Sequence, residues 1–298
     1  MGRLSFLLDN MGYNLKTLIT LLRCPRCDGV LDEKREKELR CNGCGIVYRL
    51  RNGAIFFSGE PDDARRLHDA PSNKQRWSLA RWRIFEYLEN ELKSIPRDTV
   101  VCDVGIGTGP FRELTDRFTT MVGVDFFPYA PVQVVADITK PLPFRSAAFD
   151  VVICSEVLEH IPNPHEVIKE MGRIMKNGGT CIGSVPFLHA IHYAPYDFYR
   201  YTPFALKNLF HDAGFSKIEI IPIGFSFEVY KVFQDRFFTA HLLPTRFSKN
   251  RVRNGFFSFI ARAARKIHSI LFSVMSPLYR RIPERDEWAL AYCFKAYK

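Results

Sequence analysis

The fold is decided by the stretch Val100-Val101-Cys102-Asp103-Val104-Gly105-Ile106-Gly107-Thr108-Gly109. Its apolar start has the length of a buried strand, and the three glycines on alternate positions predict a tight turn. The following residues, 110–114, have the pattern of the first turn of a helix. A strand, a glycine turn and a helix N-terminus in this order form a recurrent cradle for a nucleotide-like ligand. Because a glycine turn alone is a weak signal, its meaning depends on the patterns that follow it.

Three further strand patterns follow the glycine turn. Residues 121–125 are a short apolar run that ends in an aspartate, and an acid at that place typically binds ribose hydroxyls in doubly wound folds. Residues 132–136 are the next apolar run and are followed by Asp137. Residues 149–154 are the fourth strand, which leads into Ser155-Glu156-Val157-Leu158-Glu159-His160. This order of strands and acids predicts a doubly wound α/β sheet.

The succession resembles the class I S-adenosylmethionine-dependent methyltransferases, in particular the family called methyltransferase type 11, over residues 98–222. The resemblance implies a Rossmann-like α/β fold with a seven-stranded sheet, and S-adenosyl-L-methionine as cofactor. An NAD-binding Rossmann domain and a glycine turn without a cofactor are the alternatives, and the position of Asp137 before a Leu-Pro-Phe sequence argues against NAD. The cofactor-binding residues implied by the resemblance are Asp103, Gly105, Gly107 and Gly109 for the methionine part, Asp125 for the ribose, Asp137 for the adenine amino group, and Ser155 and Glu156 along the open side.

Two Cys-x-x-Cys knuckles near the start predict a zinc ribbon. They are Cys24-Pro25-Arg26-Cys27 and Cys41-Asn42-Gly43-Cys44, with thirteen residues between them. Zinc suits this arrangement because the four thiolates close a tetrahedral shell that has no open position for chemistry. A pair of disulfides and a redox dithiol are the alternatives. Residues 21–57 resemble the zinc-ribbon proteins that partner and activate some methyltransferases, and also the ribbon ahead of certain rRNA guanine methyltransferases.

The remaining patterns give the domain organisation. Residues 1–58 are predicted to be the zinc-ribbon module, residues 59–73 a linker, and residues 74–298 the methyltransferase domain. The last strand, 287–297, is expected to lie antiparallel beside the sixth strand, so that residues 224–286 are an insertion far longer than a hairpin needs. The other predicted elements are helices over 74–93, 164–176 and 203–213, and strands over 180–185 and 218–223.

The insertion carries most of the positive charge. The chain of 298 residues has a formal net charge of +10, and residues 231–286 alone contain twelve basic and three acidic side chains. Apolar residues recur there at helical spacing, close to Arg262, Arg265 and Lys266. An amphipathic basic helix suits contact with the inner membrane surface. One alternative is an RNA-binding surface. The other is a helical lid or dimer surface, in which the apolar stripe packs internally. The apolar positions are Phe256, Ile260, Ala263, Ile267, Ile270, Leu271, Val274 and Leu278.

The sequence shows neither a secretory signal nor an apolar run long enough to span a membrane. We therefore expect a cytoplasmic protein, with at most peripheral contact with the cytoplasmic membrane, and free thiols instead of disulfides. No DNA partner is expected. The Asn-Pro-Pro-Tyr type of motif that amino-methylating DNA enzymes carry after the fourth strand is missing, and Cys154-Ser155-Glu156-Val157 stands in its place.

The loop after the fifth strand, residues 186–202, is the predicted catalytic region, because ligands of open α/β sheets sit beyond the carboxyl ends of the strands. Methyl transfer needs an aligned acceptor atom and, for a hydroxyl acceptor, removal of a proton. A histidine with a pKa near neutrality is the natural base. His192 is the predicted base, and His189 and His160 are its rivals.

Two charged residues of this loop complete the predicted site. Asp197 is predicted to orient the histidine, and Arg200 to bind an anionic part of the substrate. The alternative is that the two side chains merely pair and shape the loop. The stretch resembles a His-x-x-Pro-x-Asp-Phe-Tyr-Arg-Tyr-Thr pattern of type 11 methyltransferases associated with polysaccharide and surface-glycan genes.

The sequence therefore predicts an S-adenosylmethionine-dependent methyltransferase, with a structural Zn²⁺ ion, that O-methylates a sugar or a lipid-linked or surface-glycan intermediate at the membrane face. One alternative is an rRNA or tRNA base methyltransferase, in which the ribbon and the basic insertion bind RNA. Another is a non-catalytic S-adenosylmethionine-binding adaptor, and the intact glycine turn with Asp125 and Asp137 argues against it. These patterns do not determine the acceptor atom.

Overall fold

The computed structural model describes residues 15–35, 37–59, 74, 77–237, 251–279 and 288–298. The described residues exclude most of the predicted linker (60–73), two parts of the predicted insertion (238–250 and 280–286) and residue 287, the first of the predicted last strand. The described strands are β1 (Leu31–Arg35), β2 (Glu38–Cys41), β3 (Val47–Arg51), β4 (Ala54–Phe56), β5 (Val100–Val104), β6 (Thr120–Asp125), β7 (Val134–Val135), β8 (Phe149–Ser155), β9 (Met175–Pro186), β10 (Lys217–Ile223) and β11 (Ala291–Tyr297). The described helices are α1 (Leu15–Leu21), α2 (Leu79–Leu92), α3 (Arg112–Thr115), α4 (Pro164–Ile174), α5 (Pro203–Asp212), α6 (Ser226–Phe237) and α7 (Arg251–Tyr279), with a 3₁₀ turn at Leu158–His160.

The strands form one mixed sheet, and its order fixes where a ligand can bind. The order is β1-β2-β3-β4-β7-β6-β5-β8-β9-β11-β10, and the seven strands from β7 to β10 are the doubly wound sheet that the sequence predicts. Strands β7, β6, β5, β8 and β9 run parallel, and β11 enters antiparallel between β9 and β10, which confirms the predicted last strand. The chain order reverses at β5. A ligand site is therefore expected at the carboxyl ends of β5 and β8.

Strand β5 is the centre of the sheet because it is buried on both faces. Val101, Cys102 and Val104 have no exposed surface. In the parallel pairing, Cys102 lies opposite Val122 of β6 on one side and Val152 of β8 on the other. Parallel sheets that are covered on both faces require a continuous apolar run of this kind, which is why the sequence predicts this strand well.

The helix after the glycine turn is a single turn, α3. Ten residues separate Gly109 from Thr120, the first residue of β6, and a long helix does not fit between them. The chain after α3 is instead fixed to the end of α2. The guanidinium of Arg117 donates hydrogen bonds to the carbonyl oxygens of Leu92 at 3.0 Å and Ile95 at 2.8 Å.

Strand β9 begins earlier than the sequence predicts, at Met175 instead of residue 180. Helix α4 ends at Ile174, before the Asn-Gly-Gly sequence that the prediction places at its end, and Met175 already pairs with Phe149 of β8. The intervening residues form a bulge with Gly178 at a φ of +79°, and regular pairing resumes at Thr180. A glycine tolerates this conformation because it has no Cβ atom.

The zinc-ribbon module is continuous with the sheet. Strand β4 pairs in parallel with β7, with Ile55 opposite Val134. The backbone N–H of Ile55 donates to the carbonyl of Gln133 at 2.9 Å, and that of Phe57 donates to Val135 at 2.9 Å. The module thus extends the doubly wound sheet at its β7 edge, which would otherwise expose unpaired backbone groups.

A second attachment joins the module to the segment before β8. The backbone N–H of Arg23 donates to the carbonyl of Pro143 at 3.0 Å, and the N–H of Arg145 donates to Leu21 at 2.8 Å. Leu22 lies between these bonds and is fully buried. It belongs to the same hydrophobic core as residues of β5 and β8. The boundary predicted at residue 58 therefore does not separate two hydrophobic cores.

The insertion contributes two described helices, α6 and α7. They contact each other through the stacked rings of Phe227 and Phe272, whose centroids are 3.9 Å apart. Most of the predicted apolar stripe is exposed, so it does not pack against the described part of the chain. Within the described ranges, no helix is both long and apolar enough to cross a membrane. The exposed stripe residues are Ile260, Ile267, Ile270, Leu271, Val274 and Leu278.

The shared core predicts that the ribbon and the sheet unfold together. The tryptophans Trp77, Trp82 and Trp288 lie outside the ribbon, so their fluorescence reports on the sheet, while the reactivity of the four ribbon thiols reports on the ribbon. Leu22→Ala is expected to lower the free energy of unfolding by about 2–5 kcal/mol in both signals, because it opens a cavity in the common core. Val30→Ala, at a position that is 49% exposed, is the control. Exposure of the ribbon thiols at a lower denaturant concentration than the fluorescence change would contradict a shared core.

Candidate functional site

A cleft opens at the carboxyl ends of β5, β6 and β8, with a volume of about 590 Å³. The glycine turn and the loop after β9 both line it, so that the predicted cofactor residues and the predicted acceptor residues meet in one cavity. The predicted residues that line the cleft are Gly105, Gly107, Asp125, Asp137, Ser155, Glu156, His160, His189 and His192. The predicted residues outside this lining are Asp103, Gly109, Asp197 and Arg200.

The glycine turn is held in a conformation that requires glycine. The φ angles are +77° at Gly105 and +55° at Gly107. A Cβ atom at Gly105 would lie 2.5 Å from a methyl carbon of Val157, whereas a Cβ atom at Gly107 would meet no heavy atom within 4 Å. The backbone at Gly107 therefore borders open space in the cleft, where a ligand can approach it closely.

Asp125 ties the glycine turn to the end of β6. Its Oδ2 accepts a hydrogen bond from Gly107 N at 2.9 Å, and its Oδ1 accepts one from Phe127 N at 3.0 Å. Burial raises the pKa of Asp125. Each carboxylate oxygen can accept a second hydrogen bond, so Asp125 can still receive ribose hydroxyls from the cleft. Asp103 lies behind the turn, and burial and then the charge of Asp125 raise its pKa to about 7.

Asp137 lies at the far end of the same cleft. Its Oδ1 accepts hydrogen bonds from Thr139 N at 3.0 Å and from Thr139 Oγ1 at 2.6 Å. Its Oδ2 is 3.6 Å from Lys140 Nζ and retains acceptor capacity for an amino group. Phe127 and Ile138 also line this end, and their apolar surfaces suit a flat ring such as adenine.

Ser155 and Glu156 are joined by a buried serine that sequence reasoning missed. Ser155 Oγ lies 2.7 Å from Ser184 Oγ, and Ser184 Oγ donates to Glu156 Oε1 at 3.0 Å. Burial, and then the charge of Glu159, raise the pKa of Glu156 to about 8. Glu156 also has a φ of +58°, a strained conformation for a residue with a side chain, and such strain concentrates at functional sites.

The loop after β9 is organised by an ion pair. Arg200 Nη1 and Nη2 bind Asp197 Oδ1 at 2.6 Å and Oδ2 at 2.7 Å. The guanidinium also donates to the carbonyl oxygens of His189 at 3.2 Å and Ala190 at 3.1 Å. Because the donors of Arg200 are engaged within the loop, this geometry favours the alternative in which the pair shapes the loop.

Asp197 and Arg200 also position His192. The backbone N–H of His192 donates to Asp197 Oδ2 at 2.7 Å, and the same oxygen lies 3.2 Å from His192 Nδ1. Burial alone would raise the pKa of Asp197, but the hydrogen bonds from Arg200 and His192 lower it below its usual value. Burial lowers the pKa of His192 despite the charge of Asp197, so its imidazole is neutral at pH 7.

Glu159 is the second residue that sequence reasoning missed. It lies on the 3₁₀ turn Leu158–His160 with its side chain fully buried, between the imidazoles of His160 and His192. In the sequence, its position next to His160 is what could have indicated a role for Glu159 in the site. The contact with His192 could not be found from the sequence, because it depends on how the loop after β9 folds back over this turn.

Helix α2, which the sequence predicts over 74–93, borders the mouth of the cleft. Ser78 caps the helix by accepting a hydrogen bond from Arg81 N at 3.2 Å, and both residues line the cleft. The apolar face of the helix, including Ile84 and Leu88, is buried in the core that contains Val101 of β5. The helix therefore both packs against the sheet and borders the cavity.

The four ribbon cysteines form a separate cluster. Cys24 Sγ lies 3.7 Å from Cys44 Sγ, Cys27 Sγ lies 3.4 Å from Cys41 Sγ, and all four sulfur atoms lie within 4.8 Å of one another. A Cβ atom at Gly29 would lie 2.8 Å from Cys41 Sγ, so the backbone is folded tightly around the sulfurs. Hydrogen bonds, first from the backbone of Cys44, lower the pKa of Cys41 to about 6. Four cysteine sulfur atoms that converge in this way fit the tetrahedral shell of a structural Zn²⁺ ion, which binds cysteine as thiolate.

Comparison with known proteins gives two family matches. Residues 75–220 match the family described as "Methyltransferase domain", and residues 16–53 match the family described as "Trm112p-like protein". An uncharacterized protein of Methanocaldococcus jannaschii is 36% identical over 107 residues, which cover 33% of this chain and 47% of that protein. The ubiquinone biosynthesis O-methyltransferase of Psychrobacter arcticus is 26% identical over 166 residues, which cover 42% of this chain and 62% of that protein. The chain spans about half the length of the curated relatives that it matches.

Among solved structures, a complex between the Haloferax volcanii Trm112 methyltransferase activator and a putative methyltransferase is similar, with a TM-score of 0.41 and 23% identity. The match covers 46% of this chain and 71% of that chain. The two family matches, together with the observed sheet order, confirm the resemblance inferred from the sequence.

Gly107→Ala is expected to weaken binding of S-adenosylhomocysteine by about tenfold or more, because the added methyl group borders the open space of the cleft. Gly178→Ala is a matched control. Gly178 also has a positive φ, of +79°, and an added Cβ atom would meet no heavy atom within 4 Å, but it lies in the β9 bulge. Both variants carry a similar backbone cost of about 1–2 kcal/mol. Isothermal titration calorimetry measures the affinities, and equal binding by the two variants would contradict the role assigned to Gly107.

Proposed function

We propose that this chain, which carries a methyltransferase domain of the S-adenosylmethionine-dependent class behind a Trm112p-like ribbon, methylates a hydroxyl group of its acceptor. The observation that carries the proposal is the shared cleft. The glycine turn, Asp125 and Asp137 line one part of it, and His160 and His192 line another. A cofactor and an acceptor bound in these two parts would therefore be neighbours, as direct methyl transfer requires.

The cofactor part of the cleft fits S-adenosylmethionine. Gly107 borders open space, Asp125 retains acceptor capacity for the ribose hydroxyls, and Asp137 retains it for the adenine amino group. When bound, S-adenosylmethionine supplies an electrophilic methyl group on its sulfonium sulfur. The residues of the chain hold the cofactor in place and leave this part of the cavity open towards the acceptor.

The acceptor part of the cleft is suited to activating a hydroxyl group. In the overall reaction the acceptor oxygen loses a proton and gains the methyl group, while the bond between that methyl carbon and sulfur breaks. His192 is neutral at pH 7 and therefore has a lone pair available. Its Nε2 lies 3.7 Å from Glu159 Oε1, so we assign hydroxyl activation to Glu159, His160 and His192 as a group.

We infer an acceptor with an apolar part, such as a lipid-linked sugar or glycan intermediate. Ile191, in the histidine loop, is 81% exposed, and Phe204, at the start of α5, is 79% exposed. On α7, Ile267 and Leu271 are exposed beside the basic residue Lys266, which suits contact with an anionic lipid surface. The relative from Psychrobacter arcticus is named as an O-methyltransferase, which supports oxygen as the methylated atom.

RNA is the second candidate acceptor. The Trm112p-like match over residues 16–53 favours it, because this segment also resembles the ribbon ahead of certain rRNA guanine methyltransferases. The positive charge of residues 231–286 would then contact phosphates, which gives affinity without sequence information. In this case the exposed apolar stripe of α7 would have no role in substrate binding.

The first experiment uses S-adenosylmethionine labelled on its methyl group, incubated with the protein and with separate lipid, glycan, RNA and protein fractions of the host cell. We expect label in the lipid or glycan fraction, and its loss in a His192→Ala variant. His211→Ala, at an exposed position on α5, is the control. Label in the RNA fraction would contradict a lipid-linked acceptor and favour RNA as the acceptor. Absence of label from every fraction would contradict catalysis and favour a non-catalytic adaptor.

Membrane contact is tested separately by sedimentation with vesicles that contain anionic phospholipid. Ile267→Glu and Leu271→Glu together are expected to reduce the vesicle-bound fraction by about tenfold, because each places a carboxylate at an exposed apolar position. Val30→Glu and Val47→Glu together introduce the same two charges at exposed apolar positions of the ribbon and serve as the control. Equal loss of binding in both proteins would show that net charge, and not the face of α7, determines the interaction.

A further inference from the structure

The side chain of Glu159 is buried directly behind two residues that line the cleft, His160 and His192. It has no exposed surface, and neither carboxylate oxygen receives a hydrogen bond from another residue. Removing a carboxylate from water is costly unless a cation or hydrogen-bond donors compensate for the lost hydration. The nearest polar atoms are ring nitrogens: His160 Nε2 at 3.5 Å and His192 Nε2 at 3.7 Å, both from Glu159 Oε1.

Both imidazoles present Nε2 to Glu159 because their other nitrogen is already engaged. His160 Nδ1 lies 2.6 Å from the carbonyl oxygen of Tyr196, which can only accept a hydrogen bond, so Nδ1 carries the proton and Nε2 has the lone pair. His192 Nδ1 lies 3.2 Å from Asp197 Oδ2 and also 3.2 Å from Arg200 Nη2, which can only donate, so metal binding through Nε2 requires the tautomer whose Nδ1–H points to Asp197. A carbonyl or carboxylate behind a histidine is the arrangement that orients imidazoles for metal binding.

We propose that Glu159, His160 and His192 bind a divalent metal cation at the acceptor end of the cleft. The three ligand atoms lie within 4.8 Å of one another. The oxygen-to-nitrogen distances of 3.5 and 3.7 Å are too long for strong hydrogen bonds. They are close to the separation of about 3.4 Å that bonds of about 2.1 Å produce at tetrahedral angles around one ion.

The ligand set indicates which cations fit. Two imidazoles and one carboxylate suit borderline divalent ions such as Mn²⁺, Fe²⁺, Co²⁺ and Zn²⁺. His160 and His192 line the cleft, so an ion here would keep positions open on the side of the cavity. The ribbon cysteines form a different kind of site, with four thiolates and no open position.

The role of the cation in catalysis rests on the proposed function, whereas its binding does not. A divalent cation lowers the pKa of a hydroxyl group held next to it, so the acceptor proton can leave to water in the cleft at neutral pH. The acceptor oxygen then forms the bond to the methyl carbon, and the bonding pair of the broken carbon–sulfur bond stays on sulfur. In this arrangement His192 is a metal ligand and does not accept the proton.

Mn²⁺ tests the site directly, because it prefers oxygen and nitrogen ligands over the thiolates of the ribbon. The full chain, loaded with one Zn²⁺ per chain so that only the four-thiolate site is filled, is titrated with Mn²⁺ in the absence of methyl donor and acceptor, and free Mn²⁺ is followed by electron paramagnetic resonance. We expect about one bound Mn²⁺ per chain, and an affinity weaker by about tenfold or more in Glu159→Gln. Glu166→Gln is the matched control, since Glu166 lies 3.6 Å from His165 in an exposed pair on α4.

Thermal unfolding with and without Mn²⁺ distinguishes loss of metal binding from loss of folding in the variants. Mn²⁺ is expected to raise the Tm of the unmodified protein and of Glu166→Gln, but not that of Glu159→Gln or His192→Ala. Unchanged Mn²⁺ affinity in Glu159→Gln, or no binding by the unmodified protein, would overturn the proposal. Because neither measurement involves methyl transfer, this failure would leave the proposed function standing, and the labelling experiment can fail without affecting the metal site.

Discussion

The crowding of carboxyl groups at the ends of three parallel strands governs the chemistry of the cleft. Asp103, Asp125, Glu156 and Glu159 follow or end β5, β6 and β8, and burial raises the pKa of each. Parallel strands bring these groups together because their carboxyl ends meet at one edge of the sheet. Burial disfavours the charged form of each carboxyl group, and a positive ligand bound beside them would favour it. A sulfonium cofactor and a divalent cation are both positive ligands of this kind.

The sequence predicted those parts of the site whose signals are local. The glycine turn and Asp125 follow from a strand period and turn chemistry within a short stretch, and the four cysteines follow from their spacing. Ser184 and Glu159 could not be assigned in this way. Ser184 reaches the site through its register opposite Ser155 in a parallel pair, and a shift of one residue would turn it away. Such pairings link distant segments, which single-sequence patterns do not connect.

The histidine loop shows why residue type alone gives an incomplete account of role. From the sequence, Arg200 is predicted to bind substrate and Asp197 to orient the histidine that is predicted to be the base. In the structure, Arg200 directs its donors to Asp197 and to backbone carbonyls, and the pair fixes the backbone and ring of His192. Loops are positioned by such internal bonds because they lack the regular pairing of strands. The loop is thereby preorganised before any acceptor binds.

The parallel pairing of β4 with β7 has a consequence for the supply of functional protein. When a separate subunit donates an edge strand, the fraction of complete sheets depends on the concentration of that subunit. Here β4 belongs to the same chain as β7, so dilution cannot separate the two strands. Folding of a four-thiolate ribbon depends on its metal ion. Zinc availability in the cell, and not the abundance of a partner, would then set how many chains have a covered β7 edge next to Asp137 and the cofactor cleft.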